Sequence, residues 1–161
     1  MIEVGQEIPE ATLRVMTGEG VKPVSSREAL GTGRVVLFGV PGAFTPTCSD
    51  YHLPGFVLRR DELRDAGVDK VACVAVNDVY VMAAWGEARG AGGAVEMLAD
   101  GSAEFTRAMG LEADLTSLGL GVRSRRYAAV LADGVVTHLA VEPGPGLDVS
   151  SAESILAVLR G

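Results

Sequence analysis

The sequence contains little cysteine, with only Cys48 and Cys73 among its 161 residues. Two thiols cannot form the disulfide framework that stabilises many small secreted domains, so a protein of that class is excluded. In an acidic chain of this kind, both thiols are expected to be reduced at rest. Any disulfide that they form would therefore be transient and functional.

Basic residues are also scarce. The chain has 14 lysines and arginines against 21 aspartates and glutamates, which gives a formal net charge of −7. The densest group of positive charge is the short cluster RSRR at residues 123–126. Nucleic acids and anionic membranes require larger basic surfaces. The charge balance therefore argues against both kinds of partner.

Long apolar runs are missing as well. The longest ones, at residues 35–40 and 71–76, have the length of core strands and are far shorter than the ~20 residues that cross a bilayer. The first residues, MIEVGQ, have neither the positive region and apolar block of a signal peptide nor the composition of a transit peptide. We therefore expect a cytoplasmic protein.

Hydrophobic residues nevertheless make up 48% of the chain, so a single domain over residues 1–161 with its own core is expected. Runs rich in β-branched residues, separated by amphipathic segments, predict an α/β domain. The predicted strands lie at residues 34–40, 70–76, 127–131 and 135–141. Asp133 and Gly134 have the composition of a tight hairpin turn between the last two strands. The sheet is therefore expected to be mixed, with an antiparallel pair at its C-terminal end.

Polar caps and closing glycines predict the helices. Two helices are expected to begin at capping boxes, Ser25 with Glu28 and Ser150 with Glu153. Pro54 lacks a backbone donor and predicts a kink near residue 53 in a long helix. The predicted helices cover residues 26–30, about 47–66, 79–87, 102–109, and the segment from the cap at residue 150 to residue 159.

The most informative segment, residues 35–49, reads VVLFGVPGAFTPTCS. It describes a buried strand that breaks at Pro41 and Gly42 and returns to order at Cys48. A cysteine is thereby placed in the first turn of a helix, beyond the carboxyl end of a strand. Unpaired N–H groups and the positive end of the helix dipole favour an anion there, which increases the fraction of reactive thiolate. Cys48 is therefore a candidate nucleophile.

The neighbouring residues suit a site in which a thiolate breaks an O–O bond. Such a site needs a hydroxyl near the sulfur, backbone N–H donors and a fixed cation for the leaving oxygen. Thr45, three residues before Cys48, can supply the hydroxyl. Pro41 can shield the pocket and hold the loop, because its ring fixes φ. The cation has to come from elsewhere, and the cluster at residues 123–126 is the best candidate.

Only one arginine of this cluster can lie beside Cys48. Arginines in loops are more often solvated surface charges, so the cluster alone does not identify the cation. Along an extended segment, alternation would place Arg126 and Ser124 on one side and Arg125 on the other.

Residues 41–49, PGAFTPTCS, resemble the active-site loop of the peroxiredoxins, in which proline is followed by threonine four residues later and by cysteine after three more. More narrowly, the loop is similar to that of the type II, or peroxiredoxin 5, subfamily. Further segments look like this subfamily in the same order: HLPGF at 52–56, VND at 76–78, AW at 84–85 and RSRRYA at 123–128. The resemblance therefore covers nearly the whole chain.

The resemblance implies a thioredoxin-like fold, with a mixed central sheet flanked by helices, and Cys48 as the peroxidatic nucleophile. Thr45, Pro41 and an arginine would complete the pocket, and alignment on the following aromatic strand makes that arginine Arg126. The implied reaction reduces hydrogen peroxide or a small alkyl hydroperoxide and leaves a sulfenic acid, which a thiol must then reduce. No metal, haem or flavin is required. A homodimer is also implied, with contacts expected near residues 47–49, 84–85 and 120–123.

How the cycle closes remains open between two alternatives. Cys73, in the apolar run at residues 71–76, stands where plant-like type II members carry a resolving cysteine, whereas other members are reduced directly by glutathione and glutaredoxin. A disulfide requires Cα atoms within about 7 Å, so a helix-start and a mid-strand cysteine would first have to unfold locally. Cys73 is equally well explained as a small buried hydrophobe. Thioredoxin and glutaredoxin with glutathione are both candidate reductants.

Three other interpretations compete with this one. A redox-sensing protein would use the same sulfenic acid to oxidise a partner protein. A thiol–disulfide oxidoreductase needs a Cys-x-x-Cys motif, and here Thr45 stands where the first cysteine would be. Cys48 and His52 have the spacing of half a zinc site, but the chain has only one other histidine, His138, and one other cysteine. His52 is therefore expected to pack near the mouth of the pocket.

Overall fold

Apolar side chains that alternate between the two faces of a sheet organise the centre of this protein. The computed structural model describes all 161 residues, and residues 35–40 of the central strand are entirely buried. Phe38 and Cys73 face one core cluster, whereas Leu37 and Ala72, each one residue earlier, face the other. A strand buried on both faces reads as a continuous apolar run, because helices cover both sides of the sheet.

The secondary structure comprises nine strands and six α-helices. The strands are β1 (Thr12–Thr17), β2 (Gly20–Ser25), β3 (Arg34–Val40), β4 (Lys70–Ala75), β5 (Glu96–Ala99), β6 (Glu112–Leu115), β7 (Gly121–Ser124), β8 (Tyr127–Ala132) and β9 (Val135–Val141). The helices are α1 (Ser26–Leu30), α2 (Leu53–Leu58), α3 (Arg60–Asp65), α4 (Val79–Ala88), α5 (Glu104–Met109) and α6 (Ala152–Arg160). A π-helical turn, Cys48–His52, precedes α2, and a 3-10 turn, Thr116–Leu118, joins β6 to β7.

Seven strands form one sheet in the order β2-β1-β5-β4-β3-β8-β9, and β6 pairs with β7 in a separate hairpin. The β3–β4 and β4–β5 pairs are parallel, and the other pairs are antiparallel. Helices α2, α3, α4 and α6 pack on one face of the sheet, and α1 and α5 pack on the other. The predicted mixed α/β sheet is therefore confirmed.

The four predicted strands correspond to β3, β4, β8 and β9, and the predicted hairpin joins the last two. Asp133 and Gly134 both have positive φ, 48° and 82°, as a two-residue turn of type I′ requires. Five further strands, β1, β2, β5, β6 and β7, lie outside the predicted set. The edge strand β2 includes Pro23, which is tolerated there because β2 pairs only with β1.

The predicted long helix at residues 47–66 is wrong as a single element. Its first part widens into the π-helical turn, in which the N–H of Leu53 donates to the carbonyl of Cys48, five residues earlier. Pro54 follows directly and has no N–H of its own, so the regular hydrogen-bond ladder is interrupted close to the expected kink. A second break occurs at Arg59, where φ is −100° and ψ is 17°, and this residue separates α2 from α3.

The predicted caps hold in one helix and move in another. The hydroxyl of Ser25 accepts from the N–H of Glu28, as the first capping box predicts. At α6, however, the hydroxyl of Ser151 is the cap and accepts from the N–H of Ser154 at 3.1 Å. Ser150 is displaced from the capping position because its N–H and hydroxyl bind another group, which is described below. None of the helices has the length and apolar composition needed to cross a membrane.

Candidate active site

The loop that follows β3 carries the nucleophile candidate to a buried position. Helical structure begins at residue 46, and Cys48 lies in its first turn with no exposed surface. Asn77 follows β4, the parallel neighbour of β3, and its side-chain oxygen accepts from the N–H of Ala43 at 2.9 Å. Phe44 has a φ of 64°, a left-handed conformation that costs a non-glycine residue on the order of 1–2 kcal/mol. Contacts from residues outside the loop, such as Asn77, therefore stabilise its conformation.

The register of β3 and β8 brings the arginine cluster to the same end of the sheet. Gly39 lies opposite Tyr127, so Arg126 stands beside the point where β3 ends and the loop begins. Only glycine fits at residue 39, because a Cβ there would lie 2.2 Å from the ring of Tyr127. The pairing of these two strands thus positions Arg126 independently of its side-chain contacts.

The head of Arg126 binds two partners at once in the protein interior. Arg126 is 8% exposed, its Nη2 donates to the Sγ of Cys48 at 3.1 Å, and its Nη1 donates to the Nδ1 of His52 at 2.9 Å. None of the salt bridges in the structure involves Arg126. No carboxylate therefore pairs with the guanidinium of Arg126, and the sulfur of Cys48 is in direct contact with it.

His52 is buried behind Arg126, and the expectation that it packs near the pocket mouth is wrong. It is 1% exposed, and its ring packs against Phe38 and Phe56, with centroid distances of 4.8 and 5.7 Å. Its Nε2 lies 2.9 Å from the carbonyl oxygen of Ser150, which only accepts, so Nε2 carries the proton. Nδ1 is then free to accept from Arg126.

Two effects keep His52 uncharged. Burial and the positive charge of Arg126 lower the pKa of His52 from 6.5 to about 3, although the carbonyl of Ser150 and the charge of Glu142 act in the opposite direction. At neutral pH the imidazole is therefore a neutral acceptor that orients Arg126. Because both ring nitrogens form hydrogen bonds, neither is available for a metal, and the side chains include no cluster suited to a metal ion.

Thr45 and Pro41 line the approach to the thiol. The hydroxyl of Thr45 donates to the carbonyl of Gly42 at 2.7 Å, so its lone pairs remain available to a bound molecule. Pro41 presents its carbonyl to Nη1 of Arg123 at 3.3 Å. Of the arginines predicted as candidates, only Arg126 contacts Cys48, while Arg123 supports the loop.

A buried hydrogen bond fixes the helix that carries Cys48. The indole Nε1 of Trp85 donates to the hydroxyl of Ser49 at 2.9 Å, and both residues are buried. Trp85 belongs to α4, so this bond ties the π-helical turn to a neighbouring helix. The polar groups of Ser49 and Trp85 depend on each other, because neither side chain reaches water.

Cys73 occupies a different kind of environment. It lies within β4, bracketed by Phe38 of β3 and Met97 of β5, and has no exposed surface. Burial raises the pKa of the Cys73 thiol well above its ordinary value, and the charge of Cys48 adds to this effect. Cys73 and Cys48 share one core cluster, but a strand bonded on both sides holds the second thiol in place.

A groove of about 530 Å³ leads to the site. Thr45 and Arg126 line this groove, and three leucines of the β6–β7 hairpin, Leu115, Leu118 and Leu120, form an apolar wall of it. The segment at residues 143–145, with the sequence Pro-Gly-Pro, also lines the groove. The groove thus combines polar groups of the site with an apolar hairpin wall, and this combination suits a small molecule with one polar, reactive end.

Glu142 and Ser150 were not predicted as parts of the site. Both are buried and belong to the segment between β9 and α6, and Ser150 reaches His52 across a sequence separation of 98 residues. No local pattern marks them, because Glu142 directly follows an edge strand and Ser150 resembles a helix cap. A buried acid opposite Arg126, one residue beyond the paired positions of β8 and β9, is a signal that only the strand register supplies.

Known proteins give a consistent comparison. A family model described as Redoxin matches residues 3–156. Peroxiredoxin-2E-2, chloroplastic, from Oryza sativa subsp. japonica is 51% identical over 164 residues, which cover 98% of this chain and 72% of that protein. Peroxiredoxin-2B from Arabidopsis thaliana is 47% identical over 98% of each chain. A solved structure of reduced Prx3 in complex with H2O2 from Vibrio vulnificus is 52% identical and superimposes with a TM-score of 0.95 over 99% of both chains.

The fold and the cysteine-centred site define a redoxin with the thioredoxin-like fold. More narrowly, the chain belongs to the type II, or peroxiredoxin 5, group of the peroxiredoxin family. It is accordingly a thiol peroxidase, an oxidoreductase that reduces peroxides with electrons from a thiol. The fold class and the activity implied by the sequence are thereby confirmed.

Proposed function

We propose that Cys48 is the thiolate that attacks the peroxide and that Arg126 stabilises the reacting oxygen atoms. The observation that carries this proposal is the 3.1 Å contact between Nη2 of Arg126 and Sγ of Cys48 in a buried site. A fixed cation in a water-poor pocket stabilises a thiolate and the charge that develops on a breaking O–O bond. A neutral His52 supports this role, because it holds the guanidinium without cancelling its charge.

The reaction that we propose is a two-electron displacement. The sulfur of Cys48 donates an electron pair to the terminal oxygen of ROOH, and the O–O bond breaks. The proton of the attacked oxygen passes to the leaving oxygen, which departs as ROH, and the sulfur retains the attacked oxygen as a sulfenate. Cys48 is thus oxidised by two electrons while the peroxide is reduced by two.

Thr45 is proposed to orient the peroxide for this displacement. Its hydroxyl proton already points to Gly42, so its oxygen accepts the O–H of an incoming hydroperoxide. Nη2 of Arg126 then approaches the oxygen pair from the other side. Pro41, which lines the groove beside Thr45, keeps competing donors and water away from the sulfur. The apolar hairpin wall accommodates the organic group of a small alkyl hydroperoxide, and hydrogen peroxide needs no such contact.

The assignment of these roles is tested by the rate constant for oxidation of Cys48 by hydrogen peroxide. We expect no peroxide consumption from Cys48→Ser, and losses of about 100-fold or more from Arg126→Ala, comparable to removal of an oxyanion donor in other enzymes. Thr45→Val should lose activity, because valine matches threonine in shape but can neither accept from the peroxide nor donate to the carbonyl of Gly42. Undiminished turnover by Cys48→Ser would overturn the proposal.

We further propose that an external thiol, and not Cys73, reduces the sulfenic acid. Cys73 is held in the centre of a sheet, and its raised pKa disfavours the thiolate that attack on a sulfenic acid requires. We expect Cys73→Ala to turn over at the wild-type rate with glutathione and glutaredoxin. Loss of turnover with thioredoxin, but not with glutathione and glutaredoxin, would instead identify Cys73 as the resolving thiol for that one route.

A homodimer is proposed on the side of the active-site loop. Phe44, Tyr51 and Tyr80 are 52%, 68% and 68% exposed, an unusual exposure for aromatic side chains around one loop and the adjoining helices. Within the regions expected to make contacts, Ser49 and Trp85 are buried inside the subunit, whereas Ala84 is exposed and residues 120–123 are partly exposed. Sedimentation velocity should show a dimer for the wild type and a monomer for Tyr80→Asp.

The matched control for this experiment is Val158→Asp, which introduces the same charge at an exposed apolar residue of α6. We expect this variant to sediment like the wild type. A monomeric wild type would refute the dimer, and a dimeric Tyr80→Asp would exclude this face as the contact.

A further inference from the structure

The most extensive set of hydrogen bonds around the site is a closed ring that begins and ends at Arg126. The backbone N–H of Glu142 donates to the carbonyl of Arg126 at 2.9 Å, continuing the pairing of β8 with β9. The N–H and hydroxyl of Ser150 donate to Oε2 of Glu142 at 2.8 and 2.6 Å. His52 Nε2 then donates to the carbonyl of Ser150, and Arg126 Nη1 donates to His52 Nδ1.

Glu142 is the residue that closes this ring. Its backbone holds the backbone of Arg126, and its side chain holds Ser150, whose carbonyl fixes the ring that orients the guanidinium. The same carboxylate oxygen also accepts from the N–H of Asp148 at 2.9 Å, so it fixes both ends of a short turn at residues 148–150. Glu142 is 6% exposed, and a buried carboxylate with three donors on one oxygen is a specific arrangement.

The ionisation of Glu142 agrees with this geometry. Burial alone would raise the pKa of its carboxyl, but the hydroxyl of Ser150 and the N–H groups of Asp148 and Ser150 more than offset this effect, so the net pKa is lowered. The carboxylate is therefore charged at neutral pH and remains an acceptor for all three donors.

We propose that Glu142 is a positioning residue of the peroxidase reaction, which holds the guanidinium of Arg126 against the sulfur of Cys48 through Ser150 and His52. This inference rests on the role proposed for Arg126. The carboxylate of Glu142 has no contact with the sulfur of Cys48. Its effect on the reaction therefore depends on the orientation of the Arg126 guanidinium. An error of about 1 Å in the position of a catalytic group can reduce a rate about 100-fold.

A purely structural role for Glu142 makes a different prediction, and the chain offers a matched control for it. The turn that precedes α6 has its own cap, because the hydroxyl of Ser151 binds the N–H of Ser154 and lies outside the ring. Ser151→Ala therefore loosens the same segment while every bond of the ring remains. If Glu142 only stabilised this segment, Glu142→Ala and Ser151→Ala would affect the reaction alike for an equal loss of melting temperature.

The experiment compares wild type, Glu142→Ala, Glu142→Gln and Ser151→Ala in three measurements. These are the rate constant for oxidation of Cys48 by hydrogen peroxide, the rate constant for its alkylation by iodoacetamide, and the melting temperature. Alkylation needs a reactive and accessible thiolate but no polarised O–O bond, so it separates the aim of Arg126 from general loosening. A loosened site would be alkylated faster than the wild type.

We expect Glu142→Ala to lose about 10- to 100-fold in the peroxide rate constant, with alkylation changed by less than about threefold. Glu142→Gln, which keeps an acceptor oxygen at the same place, should recover most of the rate. Ser151→Ala should match the wild type in peroxide rate despite its lower melting temperature. A peroxide rate constant unchanged in Glu142→Ala, or lowered equally in Ser151→Ala, would overturn the inference.

Arg126→Ala, measured alongside, separates the two proposals. If this variant loses its peroxide rate while Glu142→Ala keeps it, the role of Arg126 stands and only the positioning role of Glu142 fails. If Arg126→Ala itself reacts at the wild-type rate, the proposed function of Arg126 fails first, and the ring has no catalytic consequence.

Discussion

The planar guanidinium of Arg126 is a fork that binds two side chains at once, so Arg126→Lys is the most direct test of how this residue acts. Arg126 uses two nitrogens at once, one toward Cys48 at 3.1 Å and one toward His52 at 2.9 Å. A lysine keeps the positive charge but presents a single ammonium on a flexible stem, so it cannot reproduce the planar fork. Arg126→Lys therefore removes geometry and leaves charge in place.

The expected magnitude follows from the bond that is lost. A hydrogen bond that involves a charged group contributes about 1.5–3 kcal/mol, and each 1.36 kcal/mol corresponds to about a tenfold change in rate. If lysine cannot hold both contacts, the peroxide rate constant should fall by about 10- to 150-fold. The loss in Arg126→Ala should be larger, because no cation remains near the sulfur.

The assay is stopped-flow oxidation of the reduced enzyme by hydrogen peroxide, followed by intrinsic fluorescence, with iodoacetamide alkylation as the reference reaction. Trp85 binds the residue next to Cys48 and serves as the reporter. If the fork matters, Arg126→Lys should fall in the peroxide reaction and much less in alkylation. A lysine variant within about twofold of the wild type in both reactions would refute the reasoning, since charge alone would then suffice.

Three further predictions concern other parts of the site. The pKa of His52 is about 3 in the folded protein and 6.5 in the unfolded chain, so the unfolded chain binds this proton first as the pH falls. The free energy of unfolding should therefore decrease between pH 6.5 and 3, and more steeply in the wild type than in His52→Gln. Equal slopes for the two proteins in urea titrations would contradict this. Ser49→Ala leaves the indole N–H of Trp85 buried without an acceptor, and should cost about 1–3 kcal/mol in chemical denaturation, whereas a neutral result would mean that the indole finds another partner. Leu120→Ala removes part of the apolar wall of the groove. It should lower kcat/KM for cumene hydroperoxide by up to about tenfold and leave kcat/KM for hydrogen peroxide unchanged. Equal losses for both substrates would exclude the groove as the site of the organic group.

Local patterns in the sequence were sufficient for the central strands and for the reactive cysteine. The apolar runs of β3, β4 and β8 require no distant information, because a strand buried on both faces is apolar along nearly its whole length. The edge strand β9 was predicted from its β-branched residues and from the hairpin turn before it. The position of Cys48 also follows locally, from a strand, a proline–glycine break and a helix start. The choice of Arg126 over Arg125 came from the family resemblance and agrees with alternation along an extended segment, and the structure places Arg126 against Cys48.

Other elements were not predictable from local signals, for identifiable reasons. The outer strands β1 and β2 are largely exposed, so they lack the apolar pattern that marked the central ones. The segment at residues 47–66 was predicted as one helix because helix propensity does not show where the backbone hydrogen-bond pattern changes. The change to a π-helical turn and the break at Arg59 depend on packing against the sheet and against α4 and α6.

The sequence by itself determined the class of chemistry: a cysteine at a helix start, with a threonine, a proline and an arginine of suitable type. Only the tertiary structure decided how these groups are held. His52 was expected at the pocket mouth, but in the structure it is a neutral acceptor in the interior. Ser150 binds His52 directly, and Glu142 holds Ser150. The physical reason is that these bonds join residues up to 98 positions apart, and their existence depends on strand register and burial. Neither quantity is visible in the periodicity of a single segment.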